Sequence, residues 1–190
     1  MIIITKFLKS IIEYERLGKA NIFPVQYGCK NCGYMGRLHR HGFYYRNAIT
    51  IHTVHRIVII RFKCPSCKKT YSLLPSFLIP YYQYTFDAII LCLHYMFILQ
   101  KSYLQIVATF NSFNPYTSFS ISNIYFFKKR LLTTLFFTNS FFTHYDDFYY
   151  DLDKPSLTSV VKKIEDFIQI QMEFNYSFFE KMPKYFFAKT

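Results

Sequence analysis

Two C-x-x-C pairs, Cys29-Lys30-Asn31-Cys32 and Cys64-Pro65-Ser66-Cys67, constrain this chain more than any other feature. Two thiols two residues apart fit on one tight turn, and the stretch between the pairs is long enough for a β-hairpin that returns the second pair opposite the first. Four thiolates then close a tetrahedron around one Zn²⁺ at about 2.3 Å per bond. A closed site keeps no position for a substrate, so the expected cofactor is a single structural Zn²⁺ whose binding energy is folding energy. A thioredoxin-like redox role needs one C-x-x-C in a βαβ setting, which this pattern lacks; an iron–sulfur cluster uses similar thiols, and both rank behind zinc. His39, His41, His52 and His55 are near enough in sequence to be suspected as ligands, but with four thiols at hand they read as ordinary ribbon residues, some within reach of phosphate. Cys92 falls in an apolar helical stretch and reads as a small core residue.

Charge is distributed unevenly. The formal net charge is +12, and no carboxylate occurs between Glu15 and Asp87. That interval holds Arg16, Lys19, Lys30, Arg37, Arg40, Arg46, Arg56, Arg61, Lys63, Lys68 and Lys69, whereas acids slightly outnumber lysines in the last third. A basic region of this kind points to a polyanionic partner. Lys30, Lys63, Lys68 and Lys69 also flank the thiolates, where they offset the net charge of about −2 of a zinc tetrathiolate.

A hydrophobic content of 52 % over 190 residues is ample for a core. The 22 % of aromatic residues are all Phe and Tyr, a bias read in part as that of an AT-rich genome, which would scatter aromatics over the surface. Met1 to Ile4 lacks the basic start of a leader, and the longest apolar run, Phe86 to Leu99, carries Asp87 and His94 and is too short to cross a bilayer. The expectation is a cytoplasmic protein with no membrane partner.

The periodicities predict an α+β chain: an N-terminal helix (1–22), a zinc ribbon of antiparallel β-structure (23–80), a mainly α-helical, helix-turn-helix-like region (81–137), and a C-terminal loop with an amphipathic helix (138–190). The first helix is expected over Lys6 to Leu17 with Phe7, Leu8, Ile11, Ile12 and Leu17 apolar. Strands are expected around Gly42 to Arg46 and Val54 to Phe62, the second with one mostly core face and one partly wet face. Thr85 should cap a helix over Phe86 to Leu99, Ser102 one reaching Phe110, and Ser118 or Ser120 one reaching about Leu135, with Ile121, Ile124, Phe127, Leu131 and Leu135 inward. Pro155 should open the last helix, with Leu157, Val160, Val161, Ile164, Phe167, Ile168 and Met172 inward.

The strings Arg40-His41-Gly42-Phe43-Tyr44-Tyr45-Arg46, Arg61 to Thr70, and Thr70-Tyr71-Ser72-Leu73-Leu74-Pro75 with Phe77-Leu78-Ile79-Pro80 resemble an uncharacterised bacterial family of transposon-associated zinc-ribbon proteins. The likeness runs from about Gly28 to Arg130 and is strongest up to Pro80. Its members look like the N-terminal zinc-ribbon and helix-turn-helix part of insertion-sequence transposases. The resemblance implies binding of double-stranded DNA by mobile-element machinery, with a transposase as a possible partner. Separately, the amphipathic helix opened by Pro155 serves either to finish the core or to form a homodimer contact, and its sequence does not separate the two.

On that reading Arg37, Arg40, Arg46, Arg56, Arg61, Lys68 and Lys69 supply phosphate contacts. Ser120, Ser122, Asn123 and Tyr125 read bases from the third helix, with Lys128, Lys129 and Arg130 on the backbone one turn on. The Lys128 to Arg130 run serves equally to complement the helix dipole. Asp146, Asp147, Asp151 and Asp153 cluster in a polar loop and lack the spacing of a two-metal nuclease, so no enzyme is expected. The alternative is an RNA-binding or protein-interaction module.

Overall fold

The computed structural model describes residues 1–7, 9–148, 155–171 and 173–188. The chain is α+β: strands β1 (Ile2–Thr5), β2 (His39–Ile49), β3 (Val54–Lys63) and β4 (Thr70–Pro75), and helices α1 (Ile11–Leu17), α2 (Phe86–Phe97), α3 (Tyr103–Phe113), α4 (Ile121–Thr133), α5 (Leu135–Phe141), α6 (Leu157–Gln171) and α7 (Phe174–Lys181). The strands form one sheet in the order β1-β4-β3-β2. β2, β3 and β4 make an antiparallel meander, and β1 adds in parallel along β4 with Ile2 opposite Ser72 and Ile4 opposite Leu74. Periodicity did not show β1, because a four-residue apolar run has a strand's meaning only once a neighbouring strand supplies its hydrogen bonds.

The N-terminal helix is shorter than expected and turned on its axis. Ser10 caps it, accepting from the Glu13 N–H at 3.2 Å. Its buried residue is Tyr14, fully enclosed, whose hydroxyl donates to the Val58 carbonyl at 2.9 Å, while Ile12 is 67 % exposed. Phe7 packs edge-on against the Tyr14 ring at 4.9 Å before the helix begins; Leu8 lies outside the described residues. One polar bond fixed the rotation that apolar spacing left open.

β3 departs from the expected single wet face. Ile57, Val58, Ile59 and Ile60 are all buried. Because side chains alternate, both faces are covered. α1 packs on the Val58 side. On the Ile57 side Arg46, the β2 neighbour of Ile57, reaches across to the loop after β4, where its guanidinium donates to the carbonyls of Ile79, at 2.8 Å, and Tyr82.

The helices build a second core on α2, which contacts α3, α4 and α6. Thr85 caps α2 and Ser102 caps α3 in a reciprocal box with Gln105. Ser120 caps α4, which buries Ile124, Phe127 and Leu131 as expected, but Ile121 is partly exposed and the helix stops at Thr133, with Leu135 passing to α5. α6 starts at Leu157, with the Ser156 hydroxyl accepting from the Ser159 N–H, and buries Val160, Val161, Ile164 and Phe167; Met172 lies outside the described residues. Phe141, Phe142, Phe167, Phe174, Phe178 and Phe186 then pack ring on ring, Phe141 within 5.1 to 5.3 Å of five neighbours, Phe142, Tyr145, Phe167, Phe174 and Phe178. Phenylalanine thus supplies much of this core, while Phe113, Phe126 and Phe136 stay at the surface.

Three polar links join the sheet to the helices. Asn114 Nδ2 donates to the Thr50 carbonyl at the β2–β3 turn, Asn175 Nδ2 to the Ser76 and Leu78 carbonyls, and the Thr85 N–H to the Ile49 carbonyl. Among the described residues no helix is long and apolar enough to cross a membrane.

Candidate metal centre

The two cysteine pairs sit on turns of the same construction. In the first, the Cys29 N–H donates to the Tyr34 carbonyl and the Gly33 N–H to the Cys29 carbonyl; in the second, the Cys64 N–H donates to the Lys69 carbonyl and the Lys68 N–H to the Cys64 carbonyl. Each turn needs a left-handed residue just after its second cysteine, and these are Gly33 at φ 74° and Lys68 at φ 62°. Glycine takes that conformation freely, and lysine does so at a cost of about 1 kcal/mol. The first turn is the tip of a small hairpin closed by the Tyr27–Arg37 bridge, and the second joins β3 to β4.

The tips bring all four sulfurs within 4.8 Å of one another. Cys29 Sγ lies 3.5 Å from Cys67 Sγ, and Cys32 Sγ 3.8 Å from Cys64 Sγ. A tetrahedron with bonds of about 2.3 Å has edges of about 3.8 Å, so the cluster has the dimensions of a tetrathiolate site and can hold a metal ion. Among the described residues it is the one group of three or more metal-ligating side chains. Asp146 and Asp147 are exposed, and Asp151 and Asp153 lie outside the described residues.

One contributor to this centre was not visible in the cysteine spacing. Tyr71 of β4 is 1 % exposed, and its hydroxyl lies 3.0 Å from Cys29 Sγ. The bond from Tyr71 leads the influences that bring the Cys29 thiol down to about 6 from its ordinary 9.0. Backbone hydrogen bonding at Tyr34 likewise lowers Cys32, whereas burial pushes Cys64 up to about 11. A metal must therefore displace protons from some of these thiols and not from others. Cys92, buried in α2, is raised to about 12 by burial and has no part in the cluster.

The basic residues separate into three groups. Arg37, Arg40, Arg56, Arg61, Lys68 and Lys69 are exposed. Arg40, His39, His41, Lys63 and Lys68 line one concavity against the second turn, within which Lys68 Nζ folds back onto the Pro65 carbonyl at 2.6 Å. Arg56 and Arg61 are five residues apart on β3 and so lie on opposite faces, Arg56 over the Tyr45 ring and Arg61 over the Tyr44 ring. Arg46 is spent on the Ile79 and Tyr82 carbonyls, with its pKa lowered by burial. His55 is also structural: it is buried, with Nδ1 bonded to Glu15 Oε2 at 2.7 Å.

On α4, Ser122, Tyr125 and Lys129 are exposed. Asn123 Oδ1 accepts from both the N–H and the hydroxyl of Ser120, so this pair is occupied in capping the helix. Lys128 Nζ donates to the Tyr103 hydroxyl at 3.2 Å, and Arg130 lies over the Phe126 ring at 5.5 Å. α3 runs past the expected end at Phe110 to Phe113, and Asn111 within it exchanges hydrogen bonds with the Phe119 backbone before α4.

Residues 29–102 match the family model of a domain of unknown function, DUF6431. The match opens at Cys29 and closes at Ser102, the cap of α3, so it takes in both cysteine turns, the meander and α2. No curated protein and no solved structure matches the chain.

Proposed function

We propose that this chain is a zinc-ribbon protein that binds double-stranded DNA, of the transposase-associated kind its sequence resembles, and that it binds without catalysing. The carrying observation is the cysteine cluster set in a carboxylate-free stretch, with Arg37, Arg40, Lys68 and Lys69 exposed around it. Four sulfurs at tetrahedral spacing suit Zn²⁺, which prefers thiolates and four-coordination. Bound zinc would tie the two hairpin tips together and hold the basic side chains in fixed positions. Phosphate contacts fall to the cationic concavity by the second turn, and base contacts to Ser122 and Tyr125 at the exposed face of α4.

The test is a gel-shift titration on duplex DNA over a range of salt. Neutralising four to six phosphates gives a slope of log K against log salt of about −3.6 to −5.4. Chelation should abolish binding by releasing the two hairpin tips from one another, and Arg40→Ala should weaken binding while leaving the melting temperature unchanged. No duplex binding at low salt would refute the reading. A second reading, a protein-interaction or RNA-binding module, draws on Tyr27, Met35 and Tyr45, which are 67 %, 83 % and 55 % exposed on the ribbon; binding to single strands in preference to duplex, or to a protein partner alone, would favour it.

A further inference from the structure

A pocket remote from the cysteines remains unexplained. It lies between the loop after β4, the outer face of α4 and the segment after α7, and encloses about 570 Å³, inside the range of small-ligand sites. Five of its walls are rings: Tyr81 and Tyr185, 6.1 Å apart, and Tyr82 with Phe126 at 5.4 Å and Phe187 at 5.8 Å. Among the described residues its one charged side chain is Arg130, over the Phe126 ring, and none of the described carboxylates lines it.

Two features mark this as a built site. Tyr81 is a bulky residue held at φ 69°, in the left-handed region, with its side chain 80 % exposed. Such strain persists only where surroundings enforce it. Here Arg46 enforces it, gripping the carbonyls of Ile79 and Tyr82 on either side and turning the Tyr81 ring out to the rim. Second, the Tyr82 hydroxyl is buried and makes no hydrogen bond of normal geometry, although Tyr82 lines the pocket and is only 7 % exposed. A buried polar atom of this kind wants a partner.

The chemistry of the walls selects the ligand. Aromatic cages take cations when the rings are left to themselves, but the guanidinium already over Phe126 repels a second cation, and there is no carboxylate to offset it. A purely apolar ligand would leave the charge of Arg130, which has the Tyr82 hydroxyl beside it among the described lining residues, without an anion. What satisfies rings, a hydroxyl and one cation together is a flat aromatic group that carries hydrogen-bonding edges and a negative charge. We infer that this pocket binds a nucleotide, its base stacked among the tyrosines and Phe126 and its phosphate on Arg130. Every base has a π-face, so stacking of this kind tolerates sequence. The inference goes beyond duplex binding by the ribbon and does not depend on it, since the cationic concavity and this pocket share no lining residue.

The full-length zinc-loaded protein is titrated into a fluorescein-labelled single-stranded hexamer of deoxyadenosine and followed by anisotropy, with Tyr81→Gly, Tyr185→Ala and Phe126→Ala as variants. Tyr81→Gly suits the backbone and removes a ring that is already in solvent, so folding is not at issue for it. Each loss of a stacking ring is expected to weaken hexamer binding roughly 5- to 100-fold, with affinity for a duplex unchanged. Competition by free deoxyadenosine monophosphate as strong as by the hexamer identifies a free-nucleotide site; competition by the hexamer alone identifies an unpaired nucleotide within a strand. Hexamer binding that is absent, or equal in all three variants, overturns the inference, as does displacement by phosphotyrosine and not by nucleotides. Failure of the protein to bind duplex would refute the proposed function and leave this pocket standing.

Discussion

Replacing Tyr71 with Phe tests the metal centre through a single atom. The ring is 1 % exposed, and Phe fills the same space, so the substitution opens no cavity and removes only the hydroxyl 3.0 Å from Cys29 Sγ. Groups that orient and polarise a ligand from behind it change metal affinity by about 10- to 100-fold when lost, and Tyr71→Phe is expected to weaken zinc binding by that factor in competition with a chromophoric chelator. Proton counting gives an independent readout. In the metal-free protein the Tyr71 hydroxyl draws Cys29 down to about 6 from its ordinary 9.0, so it has less of a proton to release when metal binds. Without the hydroxyl its pKa climbs, and metal binding should release up to about one more proton per ion, measured calorimetrically in buffers of different ionisation enthalpy. The same shift has a stability consequence. A depressed thiol stabilises the metal-free fold above its unfolded pKa, and that contribution is lost as pH falls through about 6; Tyr71→Phe should flatten this dependence. Unchanged affinity together with unchanged proton release would refute the reasoning.

Other perturbations bear on the frame around the sites. Arg46→Ala leaves the Ile79 and Tyr82 carbonyls without their donor and should cost about 3–6 kcal/mol in chemical denaturation, from two hydrogen bonds made by a charged group. It should also weaken binding of the single-stranded hexamer, because the loop that presents Tyr81 loses its brace. Phe141→Ala removes a fully buried ring from the aromatic core and should cost about 3–5 kcal/mol, lowering the melting temperature by roughly 10 °C; a change of under about 2 °C would mean that the core closes over the gap.

The cysteine spacing determined much of this protein before any coordinates. Four thiols in two close pairs fix a short-range geometry, and the structure brings Cys29, Cys32, Cys64 and Cys67 together as the spacing required. The α+β class, the caps at Thr85, Ser102 and Ser120, and the buried stripe of α4 were legible for the same reason: each depends on residues within a turn or two of one another. Contacts between distant segments were not. β1 exists because β4 lies beside it, α1 turns on the bond from Tyr14 to Val58, and Tyr71 meets Cys29 across 42 residues of chain. Arg46 is the clearest instance. Within an acid-free basic stretch it looks like any other cation suited to phosphate, and charge alone gives no means of separating it from Arg40 or Arg61. The sheet turns its side chain inward onto two carbonyls 33 and 36 residues on, because a guanidinium is long enough to cross from β2 to the loop and both carbonyls need a donor there. Local chemistry thus decided each cysteine turn, and long-range packing decided that the two turns meet and which basic side chains stay exposed.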